Sequence, residues 1–217
     1  KYSIFPSTGL TVLAGEAKAG KTLFLTQVVI NYLLANPQKK VIWYDLERNS
    51  NLKKRLLETF PPEALKALFT RDFTFETVLE NSSLLSDDET FEDFQSVLSS
   101  HDTLIVVDSL NQLQSRRPNP EYCNVIHAET AFFTSVSANL NKNSALILIH
   151  HHNKMGGISG TSAVSQCCDC IIDMCTETSG KGICAEERSV IKRIGRNVNN
   201  LKLYYTLTYP YFSFSEK

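Results

Sequence analysis

The sequence predicts an α/β fold: a mainly parallel central sheet flanked by helices, with an antiparallel hairpin at its C-terminal edge. Short apolar runs alternate with helix-length segments along most of the chain. The runs Thr103–Asp108 and Ala145–Ile149 are almost wholly apolar and bounded by polar residues, as strands buried on both faces are. Beyond residues 170–174 the pattern changes to two alternating segments, 189–194 and 201–208, around residues 195–200, which is the pattern of an edge hairpin.

Taken in order, residues 10–14 form the first strand and residues 40–44 the second. Between them the apolar stretch 23–34 reads as a helix stopped at Asn36-Pro37, because proline cannot continue it. Residues 51–60 and 87–99 read as amphipathic helices. Residues 103–108 and 145–149 are the buried strands, and residues 121–141 are the helix joining them. With 217 residues and 42% hydrophobic content the chain is long enough for one sizeable core, and no linker-like tract divides it, so one domain over residues 1–217 is expected. It begins at Lys1 without methionine, which fits a module of a longer protein.

Between the first strand and the first helix lies Gly15-Glu16-Ala17-Lys18-Ala19-Gly20-Lys21-Thr22, with Leu23 opening the apolar stretch. This is G-x-x-x-x-G-K-T. Glycines let backbone N–H groups approach an anion, Lys21 supplies a point charge for β- and γ-phosphates, and the Thr22 hydroxyl is a Mg²⁺ ligand. The strand before it and the helix after it put the loop at a helix N-terminus, where the dipole favours negative charge.

In open parallel sheets ligands lie beyond the carboxyl ends of the strands, and the residues there are polar. Leu104-Ile105-Val106-Val107 runs into Asp108, the form of a strand whose terminal carboxylate holds Mg²⁺; the next residue, Ser109, has the chemistry of a helix cap. The second strand leads to Asp45 and Glu47. Either carboxylate suits orientation of a water attacking a γ-phosphate, and strand alternation places both on one face. The strand 145–149 leads to His150, His151, His152, Asn153 and Lys154. Consecutive extended residues point to opposite faces, so three adjacent histidines do not converge on one metal ion, and a γ-phosphate sensor at His150 or His151 fits better. Lys192, Arg193 and Arg196 lie near the hairpin turn. By spacing alone they suit protection of an edge strand, whereas a cation supplied in trans to a transferring phosphoryl group is the functional alternative.

The charge balance is −1 with a pI near 6.6, so no global basic field points to nucleic acid; such contacts require a local patch or several subunits together. The six cysteines, Cys123, Cys167, Cys168, Cys170, Cys175 and Cys184, lack the paired spacing of a zinc site. No signal peptide or transmembrane run precedes them, so they read as reduced thiols of a cytoplasmic protein. Cys167, Cys168 and Cys170 lead into Ile171-Ile172 and read as small buried strand residues.

These segments together resemble the RecA-like P-loop ATPase core, and within it the RepA-like branch related to DnaB-type hexameric replicative helicases. Gly15–Thr22 is similar to the family's Walker A and residues 106–110 to its Walker B. Residues 41–47, followed by 52–56, resemble the segment carrying the catalytic glutamate, so the resemblance selects Glu47. Residues 149–154 resemble the H-H-x-x-K stretch; Gly160-Thr161-Ser162-Ala163 with Asp169 resembles the segment after it. The resemblance implies ATP and Mg²⁺, a hexameric ring of copies with nucleotide at subunit interfaces, and single-stranded DNA contacted by loops 111–122 and 155–159, with Arg116, Arg117 and Lys154 as cations. The family's trans-acting K-x-R departs here: Ile194 stands where the arginine would follow Lys192, leaving Arg193 or Arg196 for that role.

The function expected is a Mg²⁺-dependent ATPase working as a ring-forming helicase or single-strand translocase in replication or repair. The alternative is a nucleotide-gated regulatory or assembly ATPase acting on a protein partner. A small-molecule kinase is disfavoured, because no arginine-rich lid segment lies between the later strands.

Overall fold

The computed structural model describes residues 4–36, 39–46, 87–115, 125–153, 157–158, 162–179, 186–196, 198–209 and 211–216. Its centre is an eight-stranded sheet: β1 (Gly9–Gly15), β2 (Lys40–Asp45), β3 (Thr103–Asp108), β4 (Ala145–Ile149), β5 (Cys170–Ser179), β6 (Glu186–Gly195), β7 (Leu201–Thr208) and β8 (Tyr211–Ser215), in the spatial order β2-β3-β4-β1-β5-β6-β7-β8. Strands β2, β3, β4, β1 and β5 run parallel; β6, β7 and β8 continue the sheet antiparallel. The helices are α1 (Lys21–Ala35), α2 (Asp87–Val97), α3 (Leu110–Ser115), α4 (Val125–Asn139) and α5 (Ala163–Cys167).

The central strands are almost wholly apolar because both faces are covered, with Thr11 of β1 and Thr103 and Asp108 of β3 as buried exceptions. Leu10, Val12 and Ala14 of β1, Ile105 and Val107 of β3, and Leu146 and Leu148 of β4 enter one core, closed by Phe94 of α2, Phe132 and Phe133 of α4 and Val164 of α5. Their neighbours Leu13, Val106 and Ile147 enter a second core on the other face, closed by Phe24, Leu25 and Val29 of α1. Strands β5 to β8 feed this second core through Ile172, Met174, Ile191, Leu203 and Phe212. The edge strand β8 docks on α1: the Phe212 N–H donates to Gln27 Oε1 at 2.9 Å, and the Phe212 ring lies 5.3 Å from that of Phe24.

The predicted architecture is the observed one, with four differences. The C-terminal edge is wider than a hairpin, because β8 adds a strand in which Phe212 and Phe214 alternate with serines. Strands β5 and β6 are each ten residues long and reach past the expected segments. The expected loop 111–122 begins with α3, whose Leu110 and Leu113 are buried. The expected helix 121–141 is α4, Val125–Asn139, and the short α5 precedes β5. The expected helix 51–60 lies outside the described residues.

Candidate phosphate-binding site

Strand β1 sits between β4 and β5, and the chain leaves it toward β2 on the far side of β4, so the loop after it opens at a switch point of the sheet. Gly15 ends the strand where a Cβ would lie 2.8 Å from the Met174 carbonyl oxygen, too close for any side chain. Gly20 stands at φ 84° ahead of α1, a left-handed turn with no steric cost for glycine. No side chain caps the helix start. Its first N–H groups therefore face the loop with the positive end of the dipole behind them. Lys21 is buried, and its Nζ donates to the carbonyls of Gly15 at 2.9 Å and Glu16 at 2.7 Å.

Thr22 and Asp108, 86 residues apart in sequence, meet at this helix start: Thr22 Oγ1 donates to Asp108 Oδ2 at 2.7 Å. Asp108 is buried at the end of β3, and the Leu46 N–H donates to its carbonyl at 2.6 Å. Asp45 pairs in register with Asp108 across the β2–β3 ladder, so both acids end their strands at one level. Glu47 lies outside the described residues. Ser109 does not cap α3 through its side chain. Its hydroxyl is buried without a hydrogen-bond partner among the described residues, and its carbonyl receives the Leu113 N–H at 3.1 Å.

The chain leaving β4 continues beside the loop. The His150 N–H donates to the Leu13 carbonyl at 2.9 Å, and the His152 N–H donates to that of Gly15 at 3.1 Å. His150 is fully buried and His151 partly so. The ring shown meeting a carboxylate is that of His152, whose Nε2 lies 2.6 Å from Asp173 Oδ1 on β5. Sequence reading missed this pair, because the two residues are 21 positions apart and nothing in the histidine run 150–152 points to Asp173, which lies in no recognisable motif. Lys154, 155, 156 and 159 lie outside the described residues, as do Arg116 and Arg117.

The hairpin cations have distinct surroundings. Arg193 donates from Nε and Nη2 to the Asn199 carbonyl at 3.0 and 2.8 Å, and from Nη1 to the Ile4 carbonyl at 3.3 Å. Lys192 and Lys202 share the carboxylate of Glu177, at 2.8 and 2.6 Å. Those two partners hold the Glu177 carboxyl down at about 2. Arg196 is exposed. Asp169 is tied to the foot of β1, accepting the Leu10 N–H at 2.8 Å while its own N–H donates to the Leu10 carbonyl. Gly160 and Thr161 lie outside the described residues, and Ser162 precedes α5 without a side-chain cap.

A cleft of about 820 Å³ adjoins the loop, walled by Glu16 and Lys18 on one side and by Thr176 of β5 with Ser189, Tyr205 and Leu207 of the antiparallel strands on the other. Burial pushes the Tyr205 hydroxyl pKa up. Cys168 and Cys170 are buried, one in each core, and burial raises both thiols, Cys170 to about 11. Among the described residues no group of three or more His, Cys, Asp and Glu side chains is placed to hold a metal ion, and no helix is long and apolar enough to cross a membrane.

With the loop, its lysine and the Thr22–Asp108 pair in place, comparison with protein families matches residues 2–157 to the AAA domain. The chain belongs to that family. Among solved structures it is similar to a KaiC-like protein of the archaeon Pyrococcus horikoshii OT3, at 14% identity over 98% of this chain and 91% of that one, with a TM-score of 0.62. It is similar also to the flagellar accessory protein FlaH of Methanocaldococcus jannaschii, at 13% identity over the same shares and a TM-score of 0.64. No curated protein matches the chain. At such low identity the two structures establish the fold, which is the RecA-like ATPase fold with its mostly parallel sheet and antiparallel C-terminal strands.

Proposed function

We propose that this chain binds and hydrolyses ATP with Mg²⁺. The observation that carries the reading is the meeting of Thr22 Oγ1 and Asp108 Oδ2 at 2.7 Å beside Lys21, three groups whose combined chemistry suits a nucleotide's phosphates and its Mg²⁺. Thr22 and Asp108 form a hard oxygen donor pair that fits Mg²⁺; bound there, the ion supplies positive charge against the β- and γ-phosphates. Lys21 exchanges its two carbonyl partners for phosphate oxygens, and the uncapped N–H groups of α1 complete the cradle. Glu47 orients the attacking water and His150 or His151 reads the γ-phosphate. The cleft toward Tyr205 has room for sugar and base. Of the hairpin cations, Arg196 is the one best exposed to act on a neighbouring copy, since Arg193 is engaged by carbonyls of its own chain.

For the role that turnover serves, we favour a nucleotide-gated regulator of a protein partner over a ring helicase or single-strand translocase. Support comes from the net charge of −1, from isoleucine at 194 in place of the family's arginine, and from Arg193 being held within its own chain. The helicase reading rests on the resemblance to DnaB-type hexamers, with single-stranded DNA as partner.

Titration with a fluorescent ATP analogue tests the binding step: Lys21→Ala is expected to weaken affinity by at least about tenfold, as loss of a charge-assisted contact does. Unchanged affinity refutes the phosphate site. ATPase rates with and without single-stranded DNA, alongside mass by light scattering, separate the roles. Slow turnover indifferent to DNA fits the regulator, and strong stimulation in a six-copy assembly establishes the motor.

A further inference from the structure

On the ATP-site reading Lys21 Nζ moves from the Gly15 and Glu16 carbonyls to phosphate oxygens, so nucleotide binding removes one donor from the Gly15 carbonyl. Of the donors described on that oxygen, the other is the His152 N–H at 3.1 Å. The position of residue 152 is itself fixed from the side, because the His152 ring, 3% exposed, meets Asp173 of β5 at 2.6 Å. The other ring nitrogen, Nδ1, is buried without a hydrogen-bond partner among the described residues, so ring orientation rests on Asp173. Asp173 lies in register with Ala14, the residue before Gly15, and Met174 crowds Gly15 itself. The first residue of the phosphate loop is thus boxed between the end of β4 and the middle of β5.

We infer that Asp173 and His152 are positioning residues for nucleotide binding: they keep the Gly15 carbonyl turned out of the phosphate cradle once Lys21 has left it. A carbonyl turned inward would present its negative end to the anion and withdraw the loop from the arrangement of N–H groups that binds phosphate. Asp173 orients the imidazole, the imidazole fixes the chain at 152, and the 152 N–H holds the carbonyl. Neither side chain touches the nucleotide in this scheme. The inference rests on the ATP-site reading above.

The test is Mg²⁺-ATP binding and steady-state turnover of the full chain carrying Asp173→Ala, Asp173→Asn or His152→Ala, below each variant's unfolding midpoint. Loss of a part-buried hydrogen bond to a charged group predicts about a tenfold rise in Kd and KM for Asp173→Ala and His152→Ala. The kcat at saturating ATP should stay close to wild type. Asp173→Asn, whose amide oxygen still accepts from Nε2–H, should restore affinity to within about twofold of wild type. Wild-type affinity in both alanine variants overturns the inference, as does an equal fall in kcat, and as does failure of both to fold, which would make the pair purely structural. Failure of the wild-type chain to bind ATP would instead remove the underlying site.

Discussion

Thr22 and Asp108 show how a site made of single residues is recovered from local motifs: each is the last polar residue of a pattern that can be read within eight positions, and the fold then sets them 2.7 Å apart. The pair predicts its own test. Asp108→Asn keeps an oxygen for the Thr22 hydroxyl but removes the charge, so Mg²⁺ affinity should fall by at least about tenfold while metal-free nucleotide binding is retained; calorimetry with and without Mg²⁺ checks this. Had both fallen together, Asp108 would be acting on the loop's shape. The cysteines obey burial in the same way. Cys168 and Cys170 are buried and their thiols shifted upward, so at pH 8 the native protein should resist alkylation at these two positions while the unfolded chain reacts fully, as peptide mass spectrometry would report. What was not legible was His152 with Asp173, because an adjacency between the ends of two strands is a property of the sheet and leaves no spacing in the sequence.

At the scale of elements, the parallel strands were legible because burial on both faces removes polar residues from them, as in Leu104-Ile105-Val106-Val107. Of the C-terminal strands β7 was read at its observed bounds, whereas β5 and β6 were read too short and β8 was missed, since their outward face is polar and resembles loop. Glu177, Lys192 and Lys202 belong to that face, joining β5, β6 and β7 through one carboxylate. The Glu177 carboxyl is lowered by its two lysine partners, so whatever it contributes to stability is complete above the ordinary carboxylate range and is lost as pH falls toward about 2. Glu177→Gln should therefore lessen the fall of stability over that interval and leave neutral-pH stability little changed, since exposed pairs contribute little; urea midpoints across the acid range measure it. The closure between β6 and β7 depends on shape instead. A Cβ at Gly195 would lie 2.5 Å from both the Asp169 carbonyl oxygen and Val198 Cγ2. Gly195→Ala is thus expected to destabilise by about 1–3 kcal/mol, as overpacking does, without altering nucleotide affinity.

For the whole molecule the sheet is shared property. Successive residues of β1 to β4 alternate between the α1 core and the core under α2, α4 and α5, so neither core can open without deforming strands that line the other. The single tryptophan, Trp43, reports from the α1 side, while Phe133 is fully buried on the opposite face. Phe133→Ala leaves a cavity that the sheet and α4 cannot fill, which costs about 3–5 kcal/mol. If the faces unfold as one cooperative unit, this substitution must shift the Trp43 fluorescence transition and the far-UV circular dichroism transition by the same amount in urea, although Trp43 lies across the sheet from the cavity. A Trp43 transition left in place while the dichroism moves would mean that the two helical layers unfold separately. The phosphate loop, which hangs from β1 between both cores, would then be stabilised from the α1 side alone, and a nucleotide analogue would protect only the Trp43 transition rather than both.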